Sequence, residues 1–175
     1  MLLEECVPPV PDITKDEALA RLARNYFRSH TPATLQDFVW WSGLSVTEAK
    51  QGIYLIGSEL TEEQWKGQTW YLHDSGRTRG SIKGHIRFLP PYDELLLGYK
   101  DRTDVLPSEH YSKAFTGNGL FFPVILYEGQ IVGNWDRKVK RNGCDPGYSL
   151  FRQESRIDEA LLDKAQQQYM QFLGK

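Results

Sequence analysis

Three helical stripes of apolar residues run through the first sixty positions. Thr14 with Glu17 forms a capping box. Behind it Leu19, Leu22, Ala23, Tyr26 and Phe27 repeat at the spacing of a one-faced helix, which ends near Ser29. Thr34 followed by Asp37 opens a second, shorter helix with Leu35, Phe38, Val39 and Trp41 on its buried side, and Gly43 stops it. Ser45 with Glu48 opens a third, striped by Val46, Ala49, Ile53 and Ile56. The short Ser42-Gly43-Leu44-Ser45 turn between the last two gives the helix-turn-helix pattern. Next come Gln64-Trp65-Lys66, a turn at Gly67-Gln68, and the aromatic-rich run Thr69-Trp70-Tyr71-Leu72. This spacing predicts a tight hairpin, and three helices plus a hairpin make a winged helix. Ahead of it, the three prolines within Cys6 to Asp12 imply an extended lead-in.

The pattern then changes. Asp74 to Gly84 is polar and glycine-rich and reads as a loop. Ile86, Phe88 and Leu89 begin a strand that Pro90-Pro91 terminates. Phe121 to Tyr127 is a β-favouring run, Glu128-Gly129 turns it, Gln130 to Val139 returns, and Tyr148 to Phe151 adds a strand. Ile157, Leu161, Leu162, Ala165, Tyr169 and Phe172 stripe a terminal helix. The expected fold is therefore α+β. A winged helix with its lead-in spans 1–73, a basic loop or linker 74–85, and a small β-rich domain closed by a C-terminal helix 86–175.

Composition narrows the chemistry. With 40% apolar residues and 22 aromatic rings in 175 residues, the chain folds as a globular protein. No apolar run approaches the roughly 20 residues of a membrane helix, and Met1-Leu2-Leu3-Glu4-Glu5 is acidic where a signal peptide is basic. A cytoplasmic protein without a membrane partner is the simplest expectation. Two distant cysteines, Cys6 and Cys144, and four isolated histidines build neither a disulfide framework nor a thiolate zinc site, so no metal and no cofactor is expected.

The net charge of -2 conceals an asymmetry. Asp74–Arg87 and Asn134–Asn142 each hold four bases against one acid, so the rest of the chain carries -8. A polyanion would find its complement locally. The phosphate-contact candidates are Arg77, Arg79, Lys83 and Arg87 in the first stretch and Arg137, Lys138, Lys140 and Arg141 in the second. Lys50 and Gln51, on the third helix, are the candidates for base edges. That helix sets Glu48 against Lys50, and Glu59, Glu62 and Glu63 precede the wing, which favours a structural role as much as DNA reading.

No catalytic constellation emerges. The first basic stretch lacks the Gly-Lys-Ser or Gly-Lys-Thr of a phosphate-binding loop, and no serine sits in a Gly-x-Ser-x-Gly elbow. Asp93 and Glu94 are adjacent acids, but neighbours on a strand face opposite ways, so a helix cap or a hydrogen-bond acceptor is the better reading.

Three runs of residues carry a family resemblance. Thr31-Pro32-Ala33-Thr34-Leu35-Gln36-Asp37-Phe38-Val39-Trp40-Trp41-Ser42-Gly43-Leu44-Ser45 resembles a "GPxTxxDFAWWSGL" motif, with Thr31 in place of the glycine. Phe88 to Arg102 resembles "LLPxYDExLLGYxDR", and Val132-Gly133-Asn134-Trp135 resembles "VVGxW". All three occur in order in bacterial winged-helix DNA-binding domain proteins that include the AlkZ-like DNA glycosylases. The resemblance implies that this chain corresponds to the C-terminal portion only: a last winged helix and a β-domain. DNA would lie in a concave channel, and the hairpin with Asn134 would approach the groove. It also marks Asp93, Tyr99 and Arg102 as motif positions, and adds Arg102 and Asn134 to the DNA-contact candidates.

Family glycosylases excise alkylated bases or unhook crosslinks with a Gln-x-Gln pair in an earlier winged helix. The resemblance implies that this chain begins after that helix, and Gln166-Gln167-Gln168 lacks the motif's surroundings. The first expectation is accordingly a non-catalytic module, accessory to repair, that binds duplex DNA, damaged or not, through its phosphates. It would act alone, beside an N-terminal winged-helix portion, or with another protein. The alternatives are a structural or protein-protein module and a DNA glycosylase for alkylated bases.

Overall fold

The computed structural model describes residues 12–76, 80–140, 143–152 and 157–172; the backbone alone is described for 138–140 and 143–146. The chain divides into two units, Met1–Thr78 and Arg79–Lys175. Their elements make an α+β fold: helices and strands in the first unit, then a separate sheet and a closing helix.

In the first unit, helices α1 (Lys15–Ser29), α2 (Leu35–Ser42) and α3 (Val46–Leu55) each begin at a full capping box, Thr14/Glu17, Thr34/Asp37 and Ser45/Glu48. Each box satisfies two of the backbone N–H groups that a helix start leaves open. Gly43 ends α2 with φ +70°, a left-handed turn that any Cβ would strain. Leu19, Ala23, Tyr26 and Phe27 are buried on α1, as are Phe38 on α2 and Ala49 and Ile53 on α3. Phe27 packs against Tyr26, Phe38 and Tyr71, so the helices and the wing share one aromatic core. Trp41 stays 37% exposed although it packs on Tyr26 and His30, and Val46 is exposed, so neither is a core residue as its stripe predicts.

The wing is β2 (Leu60–Trp65) and β3 (Gln68–His73). Its turn is Lys66-Gly67, one residue earlier than the spacing predicts, because Trp65 pairs with Gln68. Both turn residues have positive φ, +50° and +73°, the geometry that matches strand twist in a two-residue hairpin. A short β1 (Ala33–Thr34), absent from the sequence expectation, pairs antiparallel with β3 and completes the order β1-β3-β2.

Thr34 thus serves strand and helix together. Its hydroxyl donates to Asp37 Oδ2 at 2.7 Å, its backbone N–H donates to the same oxygen at 2.9 Å, and both residues are buried. Thr34→Ala removes the hydroxyl from a buried carboxylate and from the Asp37 N–H. It is expected to cost about 1–2 kcal/mol, read as a lowered urea midpoint at unchanged m-value.

The second unit is a four-stranded antiparallel sheet in sequence order: β4 (Ile86–Leu89), β5 (Val124–Tyr127), β6 (Gln130–Lys140) and β7 (Gly143–Leu150). The β-favouring run from Phe121 yields a strand only from Val124, while Phe121 makes a single bridge to Phe115. β7 begins five residues earlier than its aromatic run implies; Pro146 is tolerated because β7 is an edge strand.

Helix α6 (Glu159–Phe172) closes one face: Leu162 and Ala165 join Ile86, Ile125, Trp135 and Ile157 in a core. Phe172, assigned to the same stripe, is 84% exposed, beyond the reach of the sheet. A second core, around Leu96, Leu106, Ala114, Val124 and Ile131, holds the short α4 (Glu94–Leu97) and α5 (Tyr111–Ala114).

Candidate nucleic-acid interface

β5 pairs with β6 only from Gln130 to Asn134, whereas β6 runs to Lys140 against β7. From Asp136 to Lys140 the two strands therefore form a ribbon beyond the four-stranded sheet, roughly 17 Å long at about 3.4 Å per residue. The second basic stretch lies on it as far as Lys140. Arg137 is exposed and pairs across the ladder with Pro146. Lys138 and Lys140 follow on the same strand, opposite Asp145 and Gly143. Asp136, the acid of this stretch, accepts a hydrogen bond from Gly147 N–H at 3.0 Å. Arg141 lies outside the described residues.

The root of the ribbon is fixed by the third motif. Gly133 is buried where β7 passes so closely that a Cβ would stand 2.4 Å from Ser149 O. Asn134 Nδ2 donates to Pro123 O at 2.9 Å, and Trp135 Nε1 donates to Leu89 O at 2.7 Å while its ring stacks on Phe88. Asn134 is thus half-buried and holds the ribbon's base.

Arg102 is likewise bound within its own unit. It is 8% exposed, its Nε donates to Leu96 O, its Nη1 donates to Lys100 O at 3.3 Å, and its guanidinium lies over the rings of Phe115 and Phe121. Asp93 caps α4 through Leu95 N–H at 3.0 Å, the structural role expected of that acid.

On α3, Lys50 is exposed, whereas the Gln51 amide donates to Asp16 Oδ1 at 2.7 Å. Glu48 beside it bonds Lys15 at 2.7 Å, and that ammonium together with Ser45 holds its carboxyl at about 2. Two of the polar groups on this helix are thus committed to α1.

Of the first basic stretch, Arg77 and Arg79 lie outside the described residues. Lys83 is exposed in the loop before β4, and Arg87 is exposed on β4, where its Nη1 donates to Ile86 O at 2.8 Å. Helix α6 brings Lys164 and Gln168 to the same place: with Gly84, His85 and Arg87 they line a cleft of about 240 Å³ floored by Ile86, Leu161 and Ala165. The sequence signal for this was the spacing 161, 164, 165, 168, one helix face, masked because the apolar half of that face reads simply as core.

No group of three or more metal-ligating side chains occurs among the described residues, and none of their helices is long and apolar enough to cross a membrane.

Three helices with a two-stranded wing, followed by a four-stranded sheet closed by a helix, define a protein of the winged-helix class. A family model described as DNA glycosylase AlkZ-like matches residues 2–172, and the chain belongs to that family. The relation therefore runs over nearly the whole chain and is not restricted to a C-terminal portion, which corrects the expectation drawn from the three motifs.

An interstrand DNA cross-link repair glycosylase of Streptomyces sahachiroi is 29% identical over 128 residues, covering 69% of this chain and 34% of the relative. The solved structure of the Streptomyces sahachiroi DNA glycosylase AlkZ shares the fold with a TM-score of 0.74 at 24% identity, covering 89% of this chain and 43% of the other. The chain thus spans less than half the length of either. The relative that matches in sequence is a glycosylase and the family is described as one, which runs against the expectation of a non-catalytic module and favours the glycosylase alternative.

Proposed function

We propose that the protein acts in DNA repair as a DNA glycosylase on alkylated or cross-linked bases in duplex DNA. In that reaction water adds to the sugar C1′ and gives up a proton to solvent, the N-glycosidic bond breaks, and the base departs with the bonding electrons. Membership of the AlkZ-like family over residues 2–172 carries this reading.

The part played by this chain's own residues is the grip on the duplex. Arg137, Lys138 and Lys140 on the ribbon, Arg141 next in sequence, and Lys83 and Arg87 before and on β4 neutralise backbone phosphates. A two-stranded ribbon is narrow enough to enter a major groove about 12 Å wide. Lys50 on α3 adds a cation, and Arg77 and Arg79 extend the first stretch. Gln166 and Gln168 are not assigned to the reaction. Two residues apart on a helix they point about 200° from one another, so they cannot hold one water between them.

Incubation of the full chain with a duplex carrying an alkylated purine, and in parallel with an interstrand cross-link, is expected to leave abasic sites that alkali converts to strand breaks. Cleavage no greater than in the protein-free blank on both substrates overturns the glycosylase reading.

A further inference from the structure

We propose that the cleft between β4 and α6 is a seat for one backbone phosphate of the DNA, with Lys164 and Gln168 as binding residues beside Arg87 and His85. This deepens the reading of the chain as a DNA-binding glycosylase and rests on it. The cleft has the composition an anion requires. Two cations, an imidazole and an amide line it, and none of its eight lining residues is acidic, in a chain whose net charge is negative. Its volume of about 240 Å³ holds several waters at roughly 30 Å³ each, room for a phosphate and its hydration.

Its floor is apolar. Ile86 and Ala165 are buried members of the sheet–helix core, so the exposed Arg87 and Lys164 rise from a packed base. Arg87 commits one of its five N–H donors to Ile86 O, which orients the guanidinium and leaves the fork geometry suited to phosphate oxygens. Lys164 and Gln168 lie one helical turn apart on α6, a spacing that brings both side chains to the same side.

Two nearby acids are engaged by backbone N–H groups. Glu128 accepts from Gly84 N–H at 2.7 Å, and Asp158 accepts from Ala160 N–H at 2.9 Å at the start of α6. Neither lines the cleft. Because all of these residues belong to the second unit, the cleft is complete within it.

The test is the salt dependence of duplex binding by the full chain, with Lys164→Ala/Gln168→Ala compared with wild type and with Lys113→Ala as a charge-matched control elsewhere in the unit. Loss of one phosphate contact is expected to reduce the slope of log K against log salt by about 0.9. The control is expected to leave the slope unchanged, and Lys164→Arg is expected to restore it. Each protein is titrated with a duplex bearing 5′-phosphates, the same duplex without them, and a covalently closed circle.

An unchanged slope in the double variant, with wild type binding normally, overturns the cleft alone. A slope change confined to the 5′-phosphorylated duplex makes it a terminal monoester site and overturns the backbone seat. Wild type that binds none of the three overturns the DNA reading and the cleft with it.

Discussion

Gly133→Ala is expected to destabilise the second unit by about 2–3 kcal/mol, the cost of forcing volume into a packed interior. The cause is the backbone and not a movable side chain. A Cβ at this position would lie 2.4 Å from Ser149 O and 3.0 Å from Leu150 Cα, both on β7. Relief requires β6 and β7 to part at the register pairs Gly133↔Leu150 and Asn134↔Ser149. That movement would also disturb Ile125, which opposes Gly133 from the other side and is fully buried. Over a unit of this size the loss corresponds to roughly 10–20 °C in Tm.

Calorimetry on the full chain reads the shift. Gly117→Ala is the control: nothing lies within 4 Å of the added methyl group, and the change should stay within about 0.5 kcal/mol. A Gly133→Ala protein that melts with wild type would mean that the strands do not approach as closely as described. Because Gly133 sits at the root of the ribbon, duplex affinity should fall along with stability.

Each of the three motifs that carried the family resemblance contains residues that hold the architecture. In the first, Thr34 and Asp37 form a buried capping box and Gly43 supplies the left-handed turn. In the second, Asp93 caps α4 and Arg102 is buried against its own loop's carbonyls and rings. In the third, Gly133 permits strand contact and Trp135 ties β6 to Leu89 O. Such positions demand particular residue types because backbone geometry or buried polarity leaves few substitutes. They therefore identify a fold with great specificity while saying little about the reacting atoms.

The helical half was legible because its signals are local. A capping box spans four residues, and an apolar stripe spans two or three turns, so neither needs knowledge of distant chain. β1 was not legible: two residues carry no periodicity, and Ala33 and Thr34 become a strand only because β3 arrives beside them. The same holds for α4 and α5, four residues each, whose apolar side chains find a core shared with β5 and β6. The cleft at Arg87 was hidden for a related reason. Lys164 is distant in sequence from the basic stretches, and only the packing of α6 on the sheet brings it there.

Replacing Arg137, Lys138, Lys140 and Arg141 together with alanine is expected to have the largest effect on binding. Four phosphate contacts contribute about 3.6 to the slope of log K against log salt. Between 50 and 200 mM salt, wild type should therefore lose on the order of 10² more affinity than the variant does. Phosphate contacts carry no base information, so the variant should weaken on unrelated duplex sequences to the same extent.

Stability separates this outcome from unfolding. Arg137, Lys138 and Lys140 lie on β6 beyond the last β5–β6 pair and Arg137 is exposed, so the melting transition should move little. A variant that folds as wild type and keeps its slope would show that the ribbon does not touch phosphate. A fall confined to one duplex sequence would instead assign these side chains to base edges, where each lost bidentate pair costs about 1–3 kcal/mol and only at its own position.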